Sequence, residues 1–193
     1  MFEHVQQIEK KTAVGVEEPS AETLTKTLSS RKDRVREGAR HALVAMGKEA
    51  VPALIEALKD KNSLMRWEAA KALGEIADPE TAPVLVKALE DEDFDIRWLA
   101  AEGLIRMNIR GLKPLLEALE HRGDSPWLRE GAHHVFHDLA KGGLRKSLAP
   151  VLAALEALEP GGEVPWVARH ELGIEVPMAA RQALEMLQKL KKP

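Results

Sequence analysis

The densest set of metal-ligating side chains is Glu130-Gly-Ala-His133-His134-Val-Phe-His137-Asp138. Imidazoles and carboxylates three or four residues apart can meet on one helical face and share an ion such as zinc. His133 and His137 are four apart, and His134 and His137 are three apart. Glu130 precedes His133 by three residues and His134 by four. Neighbouring residues diverge by about 100° on a helix, so His133 and His134 cannot both converge on one ion with ease. His133 and His137 are therefore the candidate metal pair. A metal-binding protein using the His133/His134/His137 cluster is one reading of function.

Other chemistry finds little support. The chain has no cysteine, which excludes disulfides, zinc–thiolate sites and cysteine nucleophiles of its own. No Ser/His/Asp motif, paired-carboxylate motif or nucleotide fingerprint stands out. Gly142-Gly143 and Gly161-Gly162 lack the following Lys-Ser/Thr of a phosphate loop. No residue is assigned a catalytic role and no cofactor is expected.

The residues above sit within a repeat. Arg36, Arg66, Arg97 and Arg129 recur at steps of 30, 31 and 32 residues. Each is followed after three residues by Ala (Ala39, Ala69, Ala100, Ala132). After seven comes a large apolar residue (Leu43, Leu73, Leu104, Phe136). Self-similarity at this period marks a repeat array. Val51-Pro-Ala-Leu-Ile-Glu-Ala-Leu58 matches Ala82-Pro-Val-Leu-Val-Lys-Ala-Leu89, and Leu112-Lys-Pro-Leu-Leu-Glu-Ala-Leu119 follows with its proline shifted by one. Pro52 and Pro83 suit a first helical turn, which needs no amide donor there. Short charged turns then lead into second helices, predicted at about 33–46, 63–76, 95–107 and 125–140. Asp33 is the expected cap of the first of these. The fold expected is all-α: a right-handed α-solenoid, or α-α superhelix, of about five helical-hairpin repeats.

The repeats fall at about 21–48, 49–79, 80–110, 111–147 and 148–193. Residues 1–20 read as a capping helix (Phe2, Val5, Ile8) or a partly disordered segment. The last unit is atypical. Ala149–Leu155 resembles a first helix, an insertion at about 160–175 carries a short helix near Pro165–Leu172, and Pro177–Leu184 aligns with the second-helix motif. The basic tail (Lys189, Lys191, Lys192) reads as a C-terminal cap.

Two features of the repeat invite a structural reading. Each ladder arginine follows a turn carrying Asp or Asn (Asp33, Asn62, Asp93 and Asp95, Asp124), so a link between the turn's side chain and the arginine is expected to fix repeat geometry. The Ala pairs Ala69-Ala70, Ala100-Ala101 and Ala179-Ala180 permit close helix approach. The positions one and five after the arginine face away from the core. They read Glu37 and His41, Trp67 and Lys71, Trp98 and Glu102, Glu130 and His134, with Arg106 and Asp138 one turn further on. Trp67 and Trp98 in the same register are expected to form an aromatic patch flanked by charges. Tryptophan offers large contact area with few rotors and is enriched at binding hot spots.

Composition bounds the partner. Of 193 residues 45% are hydrophobic and 31% charged, with a net charge of −3, which argues against a surface that grips a phosphate backbone throughout. Basic runs such as Arg31-Lys32 and Arg145-Lys146 are short and separated by acids. No apolar run reaches the roughly 18 residues needed to cross a bilayer, so no membrane contact is expected. The N-terminus MFEHVQQIEKK has no apolar signal core, and a cytoplasmic location is the default expectation. Self-association stays open.

The units resemble HEAT-like repeats of the short type found in phycobilisome bilin lyase subunits. The shared pattern is Pro-x-Leu-x-x-Ala-Leu, an acidic turn, then Val/Ile/Met-Arg-x-x-Ala-Ala-x-Ala-Leu-Gly, clearest over residues 51–108. The resemblance implies that second helices line a concave surface. Glu37, His41, Trp67, Lys71, Trp98, Glu102, Arg106, Glu130 and His134 would then form a partner-binding stripe on a scaffold or adaptor for a protein or peptide. It also implies, as an alternative, a bilin-lyase-like or other tetrapyrrole-handling protein. Deoxyhypusine hydroxylase, a related HEAT-like enzyme, holds di-iron with His-Glu pairs. The corresponding positions here read Glu37-Gly38, Trp67-Glu68, Trp98-Leu99 and Glu130-Gly131, so that activity is not implied. The His170-Glu171 pair lies outside this register.

Overall fold

The computed structural model describes residues 19–157 and 176–190. The expected helices at the N-terminus and within the insertion, and the tail lysines Lys191 and Lys192, lie outside these residues. Among the described residues the chain is all-helical, in the order α1 (Ala21–Thr27), α2 (Asp33–Met46), α3 (Val51–Ala57), α4 (Ser63–Ile76), α5 (Ala82–Ala88), α6 (Phe94–Met107), α7 (Ile109–Arg122), α8 (Pro126–Ala140), α9 (Arg145–Glu156) and α10 (Val176–Leu190). None of these helices is long and apolar enough to cross a membrane.

Local chemistry sets most boundaries. Ser20, Asn62, Asp93 and Ser125 each accept a hydrogen bond from a first-turn amide, which satisfies a donor that the helix leaves open. Asp33 does not cap α2. Lys32 occupies that place without a side-chain bond, and Asp33 is the first helical residue, paired with Arg36 at 2.8 Å. Gly47 ends α2 at φ +62°, a left-handed conformation that favours glycine. Pro52 and Pro83 open α3 and α5. Pro114 does not open α7. The helix starts at Ile109, capped by Asn108, and carries Pro114 inside it.

Two rows of helices enclose the core. In the first row α1 packs on α3, and α5 on α7. In the second row α2 packs on α4, α4 on α6 and α6 on α8. Leu43, Leu54, Leu73, Leu85, Leu104, Leu116 and Phe136 are fully buried between the rows. Each hairpin has too little apolar surface to stand alone, and stacking makes the core continuous. Ala69, Ala70 and Ala100 are fully buried and Ala101 nearly so. Leucine at Ala69 or Ala100 should therefore overpack this seam and cost about 1–3 kcal/mol, read as a lower melting temperature. An unchanged melting curve would refute that placement.

The last pair departs from the expected order. α9, the expected first-row helix, lies on α8 of the second row, and α10 lies on α7 of the first row. Side-chain pairs follow the same exchange: His133 of α8 faces Glu156 of α9 at 3.8 Å, and Arg181 of α10 faces Glu120 of α7 at 3.7 Å. The motif match at Pro177–Leu184 reports a helix with a small-residue face, which can pack in either row. Ala179, Ala180 and Ala183 are all buried there.

Candidate functional site: an aromatic groove beside an arginine ladder

The ladder arginines share one contact that the turn acids did not suggest. In each, Nη1 donates to the backbone carbonyl six residues earlier: Arg36 to Ser30 at 2.8 Å, Arg66 to Asp60 at 3.0 Å, Arg97 to Asp91 at 2.9 Å and Arg129 to Gly123 at 3.1 Å. The guanidinium thus ties the start of each second helix to the turn behind the preceding helix. It supplies donors and positive charge where orphan carbonyls gather. The expected link to the turn's own side chain occurs at Arg36–Asp33; the other three use the turn's backbone.

Carboxylates reach the ladder mainly from the next repeat. Glu68 of α4 accepts from Arg36 Nε and from Arg40 Nε, both at 3.1 Å, and Arg40 Nη1 also donates to Glu75 at 2.7 Å. Asp91 receives Arg66 in a two-pronged pair, Nε to Oδ2 at 2.8 Å and Nη2 to Oδ1 at 3.0 Å, with Glu92 3.0 Å from Nη2. These hydrogen bonds to Asp91 raise the Arg66 pKa above its already high ordinary value, against the opposing effect of burial. For Arg36, burial opposes the charge, but the hydrogen bonds it donates to Asp33 and Glu68 outweigh it and the pKa is raised. The next junction uses different residues: Glu90 accepts from Arg122 and from Ser125 Oγ.

The predicted stripe separates into distinct settings. Glu37, His41, Arg106 and Glu130 are exposed. Trp67 is half-buried, and Lys71 lies over its ring at 4.8 Å. Trp98 does not join it. Its ring neighbours are Phe94, with centroids 6.4 Å apart, and His134, at 4.3 Å and 31°. The His134 ring also meets Glu102 at 3.1 Å. Asp138 pairs with Lys141 at 2.8 Å, and that hydrogen bond lowers its pKa below the usual carboxylate range. The histidine cluster separates in the same way. His133 and His137 face each other with centroids 6.0 Å apart, while His134 turns towards Trp98. Among the described residues no group of three or more His, Asp or Glu side chains is placed to hold a metal ion.

What forms instead is an apolar groove of about 100 Å³ between α6 and α8. Phe94, Trp98 and Ala101 line one side, and Trp127, Gly131 and His134 the other, with Arg97 and Glu130 at the rim. The Arg97 guanidinium lies 5.5 Å from the Phe94 ring and 5.0 Å from the Trp127 ring. Among the described residues five large apolar side chains are exposed. Three of them line this groove: Phe94 at 54%, Trp98 at 47% and Trp127 at 45%. Sequence reasoning missed Phe94, Arg97 and Trp127 as site residues. The four-residue spacing of Phe94 and Trp98 was a legible signal. Trp127, 29 residues further on in sequence, reaches them only through stacking of α8 on α6.

The described residues thus form a helical repeat array with an exposed aromatic groove on its second row. Residues 21–105 match the family described as HEAT repeats, and over that stretch the chain is similar to that family. The match is to the general family, coarser than the bilin-lyase type that the repeat pattern resembles. Among solved structures, one engineered structural-genomics target aligns at a TM-score of 0.43 and 18% identity, covering 88% of this chain and 96% of its own. A second engineered target aligns at 0.40 and 24%, covering 87% of this chain and 47% of its own, so this chain spans about half of that protein's length. No curated protein matches the chain.

Proposed function

We propose that the chain is a non-enzymatic HEAT-repeat scaffold that binds a protein or peptide partner through the face formed by α6 and α8. The observation that carries this is the gathering of Phe94, Trp98 and Trp127, all exposed, around a single groove. Monomeric proteins rarely leave contiguous aromatic surface uncovered without a use for it. The rim is charged, with Arg97 and Glu130 on it and Glu102 against the lining residue His134, which suits a hot spot ringed by polar groups. The groove's volume is also below the roughly 300–1,000 Å³ of small-molecule sites, so a macromolecular contact fits better than a tetrapyrrole pocket.

A pull-down read by mass spectrometry tests this, comparing wild type with Trp98→Ala and Trp67→Ala. Trp98→Ala should weaken the retained partner by on the order of 30-fold, as expected for loss of a tryptophan anchor. Trp67→Ala should change retention less, because Trp67 lies apart from the groove. A partner held equally well by Trp98→Ala would refute this assignment of the face.

A further inference from the structure

We propose that the groove takes an acidic partner segment, in which an Asp or Glu carboxylate docks on Arg97 and an adjoining apolar side chain seats between Trp98 and Trp127. This rests on the reading of the α6–α8 face as a binding surface and specifies what it binds. The argument comes from the ladder itself. Arg36 and Arg66 each receive a carboxylate from the following repeat, through Glu68 and through Asp91 with Glu92. Counted from the next ladder arginine, those acids occupy the positions two after, six before and five before. Counted from Arg129, the same positions are Gly131, Gly123 and Asp124.

Two of the three carboxylates are therefore replaced by glycine at this junction, and one of these, Gly131, lines the groove. Asp124 stays exposed, and its backbone carbonyl serves Arg129. Among the described residues no carboxylate pairs with Arg97. Its hydrogen bonds go to the backbone carbonyls of Asp91 and Glu92, both through Nη1. Its Nε and Nη2 edge is the one that Arg66 uses to hold Asp91, so the chain contains its own precedent for the contact. A guanidinium fork matches a carboxylate in two parallel hydrogen bonds. The flat faces of Phe94 and Trp127 hold Arg97 in place, which limits the entropy lost on docking. Glu130 on the opposite rim carries like charge to the incoming acid. It favours a single acidic residue beside an apolar one over an acidic run.

Panning a random linear peptide library against the immobilised full chain tests the proposal, with titration of a selected synthetic peptide as the quantitative arm. Wild type should enrich Asp or Glu next to Trp, Phe or Leu, and binding should weaken as NaCl is raised. Arg97→Gln should weaken the selected peptide by about tenfold or more. Because Arg97 also caps two carbonyls, that variant can lose stability. Glu130→Gln alters an exposed carboxylate and should tighten the same peptide a few-fold with the fold intact. Selected peptides that lack an acid but are lost with Trp98→Ala would overturn the acidic specificity and leave the binding face standing. Peptides indifferent to Trp98→Ala would overturn both. So would no enrichment over the bare support.

Discussion

Glu68→Ala should destabilise the chain by about 3 kcal/mol, the lower end of the range for removing one partner from a buried ion pair. Glu68 is 4% exposed and lies between Arg36 and Arg40. Arg40 is itself 6% exposed, although it is a full charge on a solenoid helix. Removing the carboxylate leaves Arg40 with Glu75 alone and takes the inter-repeat contact from Arg36. It also opens a gap in the α2–α4 seam. In a chain of this size about 3 kcal/mol lowers Tm by on the order of 6–12 °C. Glu68→Gln keeps the volume and one acceptor and should cost less than alanine. Thermal unfolding followed by circular dichroism reads both. A Glu68→Ala chain that melts with wild type would mean that solvent replaces the carboxylate without loss, and the network would then be surface decoration.

The second large effect is expected at Gly103. α4 and α6 approach closely where Gly74 meets Gly103. A Cβ at Gly103 would stand 3.0 Å from the Gly74 Cα and 2.8 Å from Leu85 Cδ1. The first neighbour is backbone and the second a fully buried side chain, so neither yields easily. Overpacking of this kind costs about 1–3 kcal/mol, while alanine returns about 0.5–1 kcal/mol of helix propensity. Gly103→Ala should therefore cost about 1–2 kcal/mol net. Gly38 provides the control. It is helical and exposed, and an added Cβ meets nothing within 4 Å. Gly38→Ala should stabilise by about 0.5–1 kcal/mol. Urea unfolding of both variants separates the terms, and equal shifts of the same sign would refute the close approach at Gly103.

These two sites show where sequence reading stopped. The small-residue seam was visible in the Ala pairs, and Gly74 in the repeat pattern, yet its partner at the seam, Gly103, was singled out by no pattern. Gly74 stands eight residues after its ladder arginine and Gly103 six, so they share no repeat register. Glu68 is similar. Its position in the other repeats holds Gly38, Leu99 and Gly131. The carboxylate that serves Arg36 and Arg40 is therefore a feature of one junction and not of the repeat. The stripe shared by Trp67 and Trp98 was legible as a register, but the register did not make a patch. Trp67 is covered by Lys71, while Trp98 gained Phe94, His134 and Trp127 from its own helix and the next.

The sequence by itself determined the helical hairpins, the period of the ladder and most helix ends. Those depend on apolar spacing, capping side chains, prolines and one left-handed glycine, all of which act within a few residues. The tertiary structure decided what the ladder binds, the exchange of α9 and α10 between rows, and the grouping of three exposed aromatic rings around Arg97. These depend on side chains well separated in sequence, 25 residues for Arg66 and Asp91, meeting across a junction, where a carboxylate or a glycine at one position decides whether an arginine is satisfied internally or left facing a groove.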